Sequence, residues 1–280
     1  MPELAELKLT ADYINKVSKG KTFVNIKKNP QHKWKEVVQE EKEFKINAKS
    51  RGKELIVYLN EYPIRMSMGM TGHFRMTETG KEVKHSHLIF ESKDGMSLSF
   101  VDVRRFGKWW PGEEWSSNRG PDPTTEFGDF VKNIEKNLGK LAFSKPICEV
   151  LLNQQYFNGI GNYLRAEIIY RIPRLSPFTQ ARKALGYYFD EITSLCNIIP
   201  LQAYQHGGGS IKDWENPFGV ESNVGHFMKC YGNPEMVKEK DSNGRMIWYR
   251  PEHQWVEIPD GKWDYYSGLP SPAFYENTEK

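Results

Sequence analysis

Apolar residues near the start of the chain recur at the spacing of a helix. They are three or four residues apart, at Leu4, Leu7, Ala11, Ile14 and Val17. Residues so spaced share one helix face. A proline just ahead of them suits a first helical turn, where no amide hydrogen is needed. The pattern therefore predicts an amphipathic helix over residues 2–18.

Short segments that alternate between apolar and polar residues follow this helix. The predicted strands span residues 22–26, 43–46, 54–59, 64–70, 87–91 and 96–103. The dipeptide Asp94-Gly95 between the last two strands is typical of a hairpin turn. Several short strands at this spacing favour a two-layer β-sandwich over a parallel sheet.

The rest of the chain is mainly helical by pattern. Residues 111–123 are rich in turn formers and predict a linker. Helical spacing then covers residues 130–138, 145–154, 163–170 and 179–199. Two strands, 236–239 and 245–249, flank the turn sequence Asp-Ser-Asn-Gly and predict a hairpin.

The predicted class is therefore α+β with two domains. The first would be a sandwich with a flanking helix, the second a helical domain that carries a hairpin. The predicted ranges are 1–110 for the sandwich, 111–124 for the linker, 125–222 for the helical domain, 223–258 for the hairpin region and 259–280 for a tail.

Composition narrows the functional classes only slightly. The net charge of the 280 residues is +3, which permits a polyanionic partner without arguing for one. The cysteines Cys148, Cys196 and Cys230 are far apart, so neither a disulfide framework nor a metal knuckle can be inferred. No apolar run predicts a membrane span or a secretory signal.

The first candidate for chemistry is the amino terminus. Removal of Met1 would leave the secondary amine of Pro2, whose pKa of about 8 makes it a potential nucleophile at neutral pH. Glu3 and Glu6 could move protons beside it. On spacing alone, these residues could equally serve only to begin the helix and balance its dipole.

Two further candidates lie in the second half of the chain. A glycine-containing turn at residues 157–162 precedes a helix and could present backbone N–H groups to a phosphate, or could be an ordinary helical hairpin. Arg245 follows the Asn-Gly turn and could bind phosphate or stay solvated. Cys230 and His253 flank this hairpin, but two ligands cannot complete a tetrahedral zinc site, so no metal is expected.

Several motifs in one order resemble the formamidopyrimidine-DNA glycosylase and endonuclease VIII family. They are MPELAEL, RGKEL, GMTGHF, FVDVRRFGKW, FNGIGNYLRAEIIYR and a final stretch from CYGNPEM to GRMIWY. In detail the chain is most similar to the animal endonuclease 8-like 1 branch. The resemblance implies a helix-two-turn-helix in the second domain and a zincless β-hairpin finger. Ala5 stands where the family usually has a second proline.

The resemblance also implies a role for each matching residue. Pro2 would attack C1′ of the damaged nucleotide, Glu3 would protonate the sugar ring oxygen, and Glu6 would assist later proton transfers. Lys53 would hold phosphates beside the lesion, and the resemblance groups it with Pro2, Glu3 and Glu6 as a catalytic residue.

The same resemblance implies a DNA-binding set. Asn162 and Arg245 would hold phosphates, while Met70, Arg104 and Phe106 would fill the gap left by an extruded base. Apolar, planar and arginine side chains suit that task. Core packing is the alternative role for Met70 and Phe106.

The implied activity is bifunctional base excision with strand cleavage by β,δ-elimination, mainly at oxidised pyrimidines. The alternatives are a non-catalytic binder of damaged DNA with the same fold, and a glycosylase that prefers 8-oxoguanine or formamidopyrimidine. The expected partner is damaged double-stranded or single-stranded DNA, bound by a monomer without cofactor or membrane. The nucleus is the expected location, although the sequence shows no targeting signal.

Overall fold

The computed structural model describes residues 1–38, 41–209, 214–219, 223, 225 and 227–253. The chain divides into two compact units. The first contains Met1–Arg119 and Leu201–Phe227, and the second contains Gly120–Pro200 and Met228–Lys280. Within the described residues, no helix has the length and apolar character needed to span a membrane.

Among its described residues, the first unit contains an amino-terminal helix and eight strands in two antiparallel sheets. The helix α1 spans Leu4–Ser18. The strands are β1 Phe23–Lys28, β2 Ile46–Arg51, β3 Glu54–Leu59, β4 Tyr62–Ser67, β5 His73–Glu78, β6 Ser86–Ser92, β7 Met96–Val101 and β8 Lys108–Pro111. One sheet has the order β1-β6-β7-β5 and the other β2-β3-β4-β8.

A single cluster of buried apolar side chains joins the two sheets and α1. Phe74 and Phe100 come from the first sheet, Val57 and Trp109 from the second, and Ile14 from the helix. These side chains are at most 1% exposed, and burial of such aromatic and branched groups is the main source of fold stability. The mixed α+β class predicted from the sequence is confirmed by this architecture.

Three sequence predictions differ from the strands observed. The strand predicted over residues 43–46 is an isolated bridge between Phe44 and Phe23, and its last residue, Ile46, begins β2. The strand β5 was not predicted, although Phe74 and Met76 alternate with polar residues in it. The strand β8 was also missed, since its four residues end in a proline and gave no alternating pattern.

The second unit is built from helices and a hairpin. Its helices are α2 Phe127–Asn137, α3 Ile147–Val150 and α4 Asn162–Tyr170, followed by α5 Ala181–Gln205, whose last residues belong to the first unit. The hairpin consists of β9 Val237–Lys240 and β10 Met246–Tyr249.

The helix predicted over residues 145–154 is much shorter, because α3 ends at Val150. The side chains that follow bond to the backbone locally instead of continuing the helix. Asn153 Oδ1 accepts the N–H of Gln155 at 3.0 Å, and the amide of Gln154 donates to the carbonyl of Ile160 at 2.9 Å. Such local bonds compete with the helical ladder.

The domain ranges given by the sequence stay a prediction, and the two compact units of the structure differ from them at one place. Residues 201–227 group with the first unit, whereas the sequence placed 125–222 together. The physical reason is bonding to α1: the hydroxyl of Tyr204 donates to Asp12 at 2.7 Å, and the N–H of Gly209 donates to Glu6 at 2.6 Å. The predicted tail, 259–280, and the last residues of the predicted hairpin region lie outside the described residues.

Candidate active site

Pro2 and the two carboxylates that follow it are buried together. Pro2 is buried just ahead of α1. Glu3 is the N-cap of that helix and forms a capping box with Glu6, whose carboxylate accepts the N–H of Glu3 at 2.7 Å. Glu3 is 3% exposed and Glu6 is fully buried. Met1 precedes Pro2 in this structure, so the Pro2 nitrogen is a peptide nitrogen.

Glu6 also fixes a segment far along the chain. Its Oε1 atom accepts the N–H of Gly209 at 2.6 Å, while Oε2 holds the N–H of Glu3. A buried carboxylate needs such donors, because burial without them is costly. Glu6 thereby ties residues 207–209 to the start of the chain within the first unit.

The electrostatic surroundings favour a neutral terminal amine. Burial lowers the pKa of the Met1 amino group below its ordinary value of 8.0; Glu3 and Glu6 oppose this effect, while Lys53 and Arg104 contribute to it. The Met1 amine lies one residue ahead of the Pro2 amine that processing would expose. A lowered pKa increases the neutral, nucleophilic fraction of such an amine.

Lys53 lies in the tight turn between β2 and β3 and is half-buried. The charge of Lys53 helps to lower the pKa of the Met1 amine, which Glu3 and Glu6 raise. The structure therefore places Lys53 close enough to act on the same amine as these two carboxylates. The sequence grouped Lys53 with these residues only through the resemblance.

Met70, Arg104 and Phe106 occupy two turns at one end of the sheets. Met70 follows β4 and is half-buried, whereas Arg104 and Phe106 lie between β7 and β8 and are exposed. Phe106 is 52% exposed, and the guanidinium of Arg104 lies 5.0 Å from the centroid of its ring. So much exposed apolar surface contradicts the alternative that Phe106 is a core residue.

In the second unit, Asn162 is the first residue of α4 and follows a turn pinned by two amide side chains. Gln154 accepts the N–H of Gly159 at 3.0 Å, and Asn158 donates to the carbonyl of Gly120 at 2.8 Å. Asn162 Oδ1 is buried and has no hydrogen-bond partner in the part of the chain that the structure describes.

Arg245 is exposed at the tip of the hairpin. The turn that presents it is ordered by Asp241, whose Oδ1 accepts the N–H of Asn243 at 3.0 Å and that of Arg245 at 2.9 Å. An arginine on a turn held in this way is presented in a defined position.

A buried ion pair anchors the hairpin to α4. Arg165 pairs with Asp241 at 2.8 Å, and both side chains are fully buried. The same guanidinium donates to the carbonyls of Cys148 at 2.8 Å and Met246 at 3.0 Å. Burial alone would raise the pKa of Asp241, but hydrogen bonds from Arg165 and from the backbone hold it below 3.8.

Glu167, two residues further along α4, anchors the chain just before the hairpin. Its carboxylate accepts the N–H groups of Lys229, Cys230 and Tyr231 at 3.0, 2.9 and 2.8 Å. Sequence reasoning missed both charged residues of α4. The available signal was that Arg165 and Glu167 interrupt an otherwise apolar helix, which indicates charges that need buried partners.

The hairpin residues do not fit a zinc ion. Among residues with described positions, no three His, Cys, Asp or Glu side chains are grouped so as to hold a metal. Burial raises the pKa of the Cys230 thiol to about 12, which disfavours the thiolate that zinc requires. Asp241 is already committed to Arg165.

The described residues combine two antiparallel sheets and an amino-terminal helix with a helical unit and a hairpin that carries an exposed arginine. A family model described as the formamidopyrimidine-DNA glycosylase N-terminal domain matches residues 1–109. The chain belongs to the formamidopyrimidine-DNA glycosylase and endonuclease VIII family.

Two curated relatives are similar over most of the chain. Endonuclease 8-like 1 of Mus musculus is 35% identical, with 89% of this chain and 72% of that protein covered. The Homo sapiens protein of the same name is 33% identical with the same coverage. The resemblance predicted from the motifs is thereby confirmed.

Solved structures agree on the fold. The MutM (Fpg) protein of Thermus thermophilus superimposes with a TM-score of 0.76 at 22% identity, covering 90% of this chain and 98% of that one. A complex between the Lactococcus lactis Fpg and DNA containing an abasic site gives a TM-score of 0.74 at 22% identity, covering 90% and 99%.

Family membership confirms the predicted enzyme class. The chain is a DNA glycosylase with abasic-site lyase activity, and its pathway is base excision repair of damaged bases. The alternative of a non-catalytic damaged-DNA binder is not supported by these relatives.

Proposed function

We propose that the chain removes oxidised bases, mainly oxidised pyrimidines, through a Schiff base on Pro2 and then cuts the strand by β,δ-elimination. The observation that carries this proposal is the burial of Pro2 beside the buried carboxylates of Glu3 and Glu6. The lowered pKa of the Met1 amine, one residue ahead, shows that the surroundings disfavour a charged amine there. A nucleophile beside its acid and base partners is what covalent catalysis at a sugar carbon requires.

The proposed steps use these groups in order. The neutral amine of Pro2, freed of Met1, forms a bond to C1′, and the base departs with the electrons of its glycosidic bond and takes up the proton that the Pro2 nitrogen loses. Glu3 protonates the ring oxygen as the bond from C1′ to that oxygen breaks, and the nitrogen lone pair forms the C=N bond of an iminium. The resulting iminium is an electron sink, so loss of a C2′ proton breaks the 3′ C–O bond. A second elimination breaks the 5′ C–O bond, with Glu6 assisting proton transfer.

Damaged DNA, double-stranded or single-stranded, is the proposed partner of a monomer. Lys53, Asn162 and Arg245 would hold phosphates. The exposed position of Arg245 and the position of Asn162 as the first residue of α4 support these roles, since arginine and helix N-termini are common phosphate ligands. Similarity to animal endonuclease 8-like 1 supports action in the nucleus.

Met70, Arg104 and Phe106 would fill the gap that the extruded base leaves. Their exposed or half-buried positions on neighbouring turns support this role. Extrusion leaves an unstacked gap and an orphan base, so an apolar side chain and an arginine can replace what is lost.

A pair of proteins that differ only at the amino terminus tests the proposal. One begins at Pro2, and the other carries a glycine ahead of Pro2, which converts the amine to an amide without a nucleophilic lone pair. Each is assayed on duplexes containing an oxidised pyrimidine, a hydantoin or 8-oxoguanine. Binding to a duplex with a stable abasic analogue is the control.

The extended protein should bind the analogue but release no base and cut no strand. The unextended protein should act fastest on oxidised pyrimidines. Equal activity of the two proteins would contradict the Pro2 mechanism, whereas a preference for 8-oxoguanine would contradict only the lesion assignment.

A further inference from the structure

The two turns that carry Met70, Arg104 and Phe106 share one buried carboxylate. The first turn, residues 68–72, joins β4 to β5, and the second, residues 102–107, joins β7 to β8. Asp102 begins the second turn and is fully buried, although the residues that follow it are exposed. A buried carboxylate is costly unless donors surround it.

The donors around Asp102 come from both turns. Thr71, in the first turn, donates its hydroxyl to Oδ1. The N–H of Arg104 reaches the same oxygen at 3.2 Å, and the N–H of Gly107 reaches Oδ2 at 2.7 Å. The N–H of Arg104 also lies 3.3 Å from the Thr71 hydroxyl. Asp102 therefore links the two turns directly.

The backbones of the two turns touch as well. A Cβ atom on Gly69 would lie 2.6 Å from the backbone nitrogen of Gly107 and from the carbonyl carbon of Phe106. Gly69 also has a φ of +62°, which side chains disfavour. Only glycine permits this approach.

The backbone of Asp102 is held from the opposite side. His87 is fully buried, and its Nε2 donates to the carbonyl oxygen of Asp102 at 2.8 Å. The N–H of Asp102 donates to the carbonyl of His85 at 3.1 Å. His85 and His87 thus hold the backbone of Asp102 in place. The carboxylate of Asp102 can then hold the two turns together.

We infer that Asp102 and Thr71 form a positioning pair for the three gap-filling residues. The pair holds Met70 in register with Arg104 and Phe106, so that all three enter the DNA as one preset group. This inference rests on the proposed gap-filling role. Its physical basis is preorganisation: ordering two separate turns during base extrusion would cost conformational entropy that the locked turns have already lost.

The test compares Asp102→Asn and Thr71→Val by single-turnover excision from a lesion-containing duplex. Asparagine would place an NH2 group where Asp102 has an oxygen that accepts a backbone N–H. Valine has the shape of threonine without its hydroxyl. Each variant should excise about tenfold more slowly, in keeping with the loss of a hydrogen bond to a charged group. Thr71→Ser keeps the hydroxyl and should retain the wild-type rate.

Asp94→Asn is the matched control. Asp94 lies in the β6–β7 hairpin with its side chain 52% exposed, and the change should leave the excision rate unaltered. Melting temperatures of all variants, measured beside the assay, establish that each protein is folded at the assay temperature. If Asp102→Asn does not fold, Thr71→Val decides the question.

A double-mutant cycle separates positioning from general stability. In a Met70→Ala, Arg104→Ala, Phe106→Ala background all three positioned side chains are removed, so Thr71→Val should cost less than about threefold. An undiminished tenfold cost there would overturn the inference, as would an unchanged rate of Thr71→Val in the wild-type background. If Met70→Ala and Phe106→Ala themselves leave duplex excision unchanged, the gap-filling proposal fails and the positioning role fails with it.

Discussion

Replacement of Arg165 by methionine should release the hairpin that presents Arg245. Methionine has a similar length, so the cavity is small and the effect is mainly electrostatic. The change removes the Arg165 donors to Asp241 Oδ2 and to the carbonyls of Cys148 and Met246, at 2.8, 2.8 and 3.0 Å. Removal of one partner of a buried ion pair costs about 3–5 kcal/mol.

Hydrogen–deuterium exchange measures this loss where it occurs. The amides of β9, β10 and α4 should lose about 3–5 kcal/mol of protection in Arg165→Met. Adding Asp241→Asn should recover part of the loss, because the uncompensated charge is removed. Lys81→Met, which breaks an exposed pair with Glu78, should change protection by less than about 1 kcal/mol.

A functional readout accompanies the exchange measurement. Arg165→Met should weaken binding to abasic-analogue DNA in the same sense as Arg245→Ala, because the tip arginine loses its defined position. Hairpin protection within about 1 kcal/mol of wild type would refute the view that this ion pair anchors the hairpin.

Three further predictions concern single side chains. Arg245→Ala should flatten the dependence of log Kd on log salt by about one ion if Arg245 contacts a phosphate; an unchanged slope would exclude that contact. Glu3→Gln should abolish base release in a glycosylase assay, since an amide cannot protonate the ring oxygen. Nicking at a preformed abasic site should partly survive that change, and equal loss of both activities would argue against the assigned role. Burial, aided by the neighbouring charge of His87, lowers the pKa of His32 from 6.5 to about 4. The unfolded chain therefore binds more protons between these values, and the free energy of unfolding should fall as the pH drops from 6.5 towards 4. His32→Phe should remove that part of the pH dependence. Identical curves of unfolding free energy against pH for the variant and the wild type would contradict this prediction.

The fold class followed from the sequence where periodicity was strong. The apolar stripe predicted α1 to within two residues of its start at Leu4 and at its end, Ser18. The bounds predicted for β3, Glu54–Leu59, are those observed. Periodicity does not record that Gly69 is needed for the close approach of two turns or that Gly72 packs against the ring of Phe100.

The site was predictable only in part, for a related reason. Pro2, Glu3 and Glu6 are close together in sequence, so their grouping needed only a helix. The links from Glu6 to Gly209 and from Asp102 to Thr71 join residues far apart in the chain. Arg165 and Asp241 are likewise separated by 76 positions. Such pairs depend on packing that local patterns do not encode.

The most direct test of the central claim is to identify the atom that joins the protein to DNA. The protein is incubated with a lesion-containing duplex and borohydride, which reduces an iminium to a stable amine, and the digested adduct is mapped by mass spectrometry. The proposed mechanism predicts that the DNA remnant lies on a peptide that begins at Pro2. A remnant on Lys53 or another internal lysine, with an unmodified amino-terminal peptide, would contradict it.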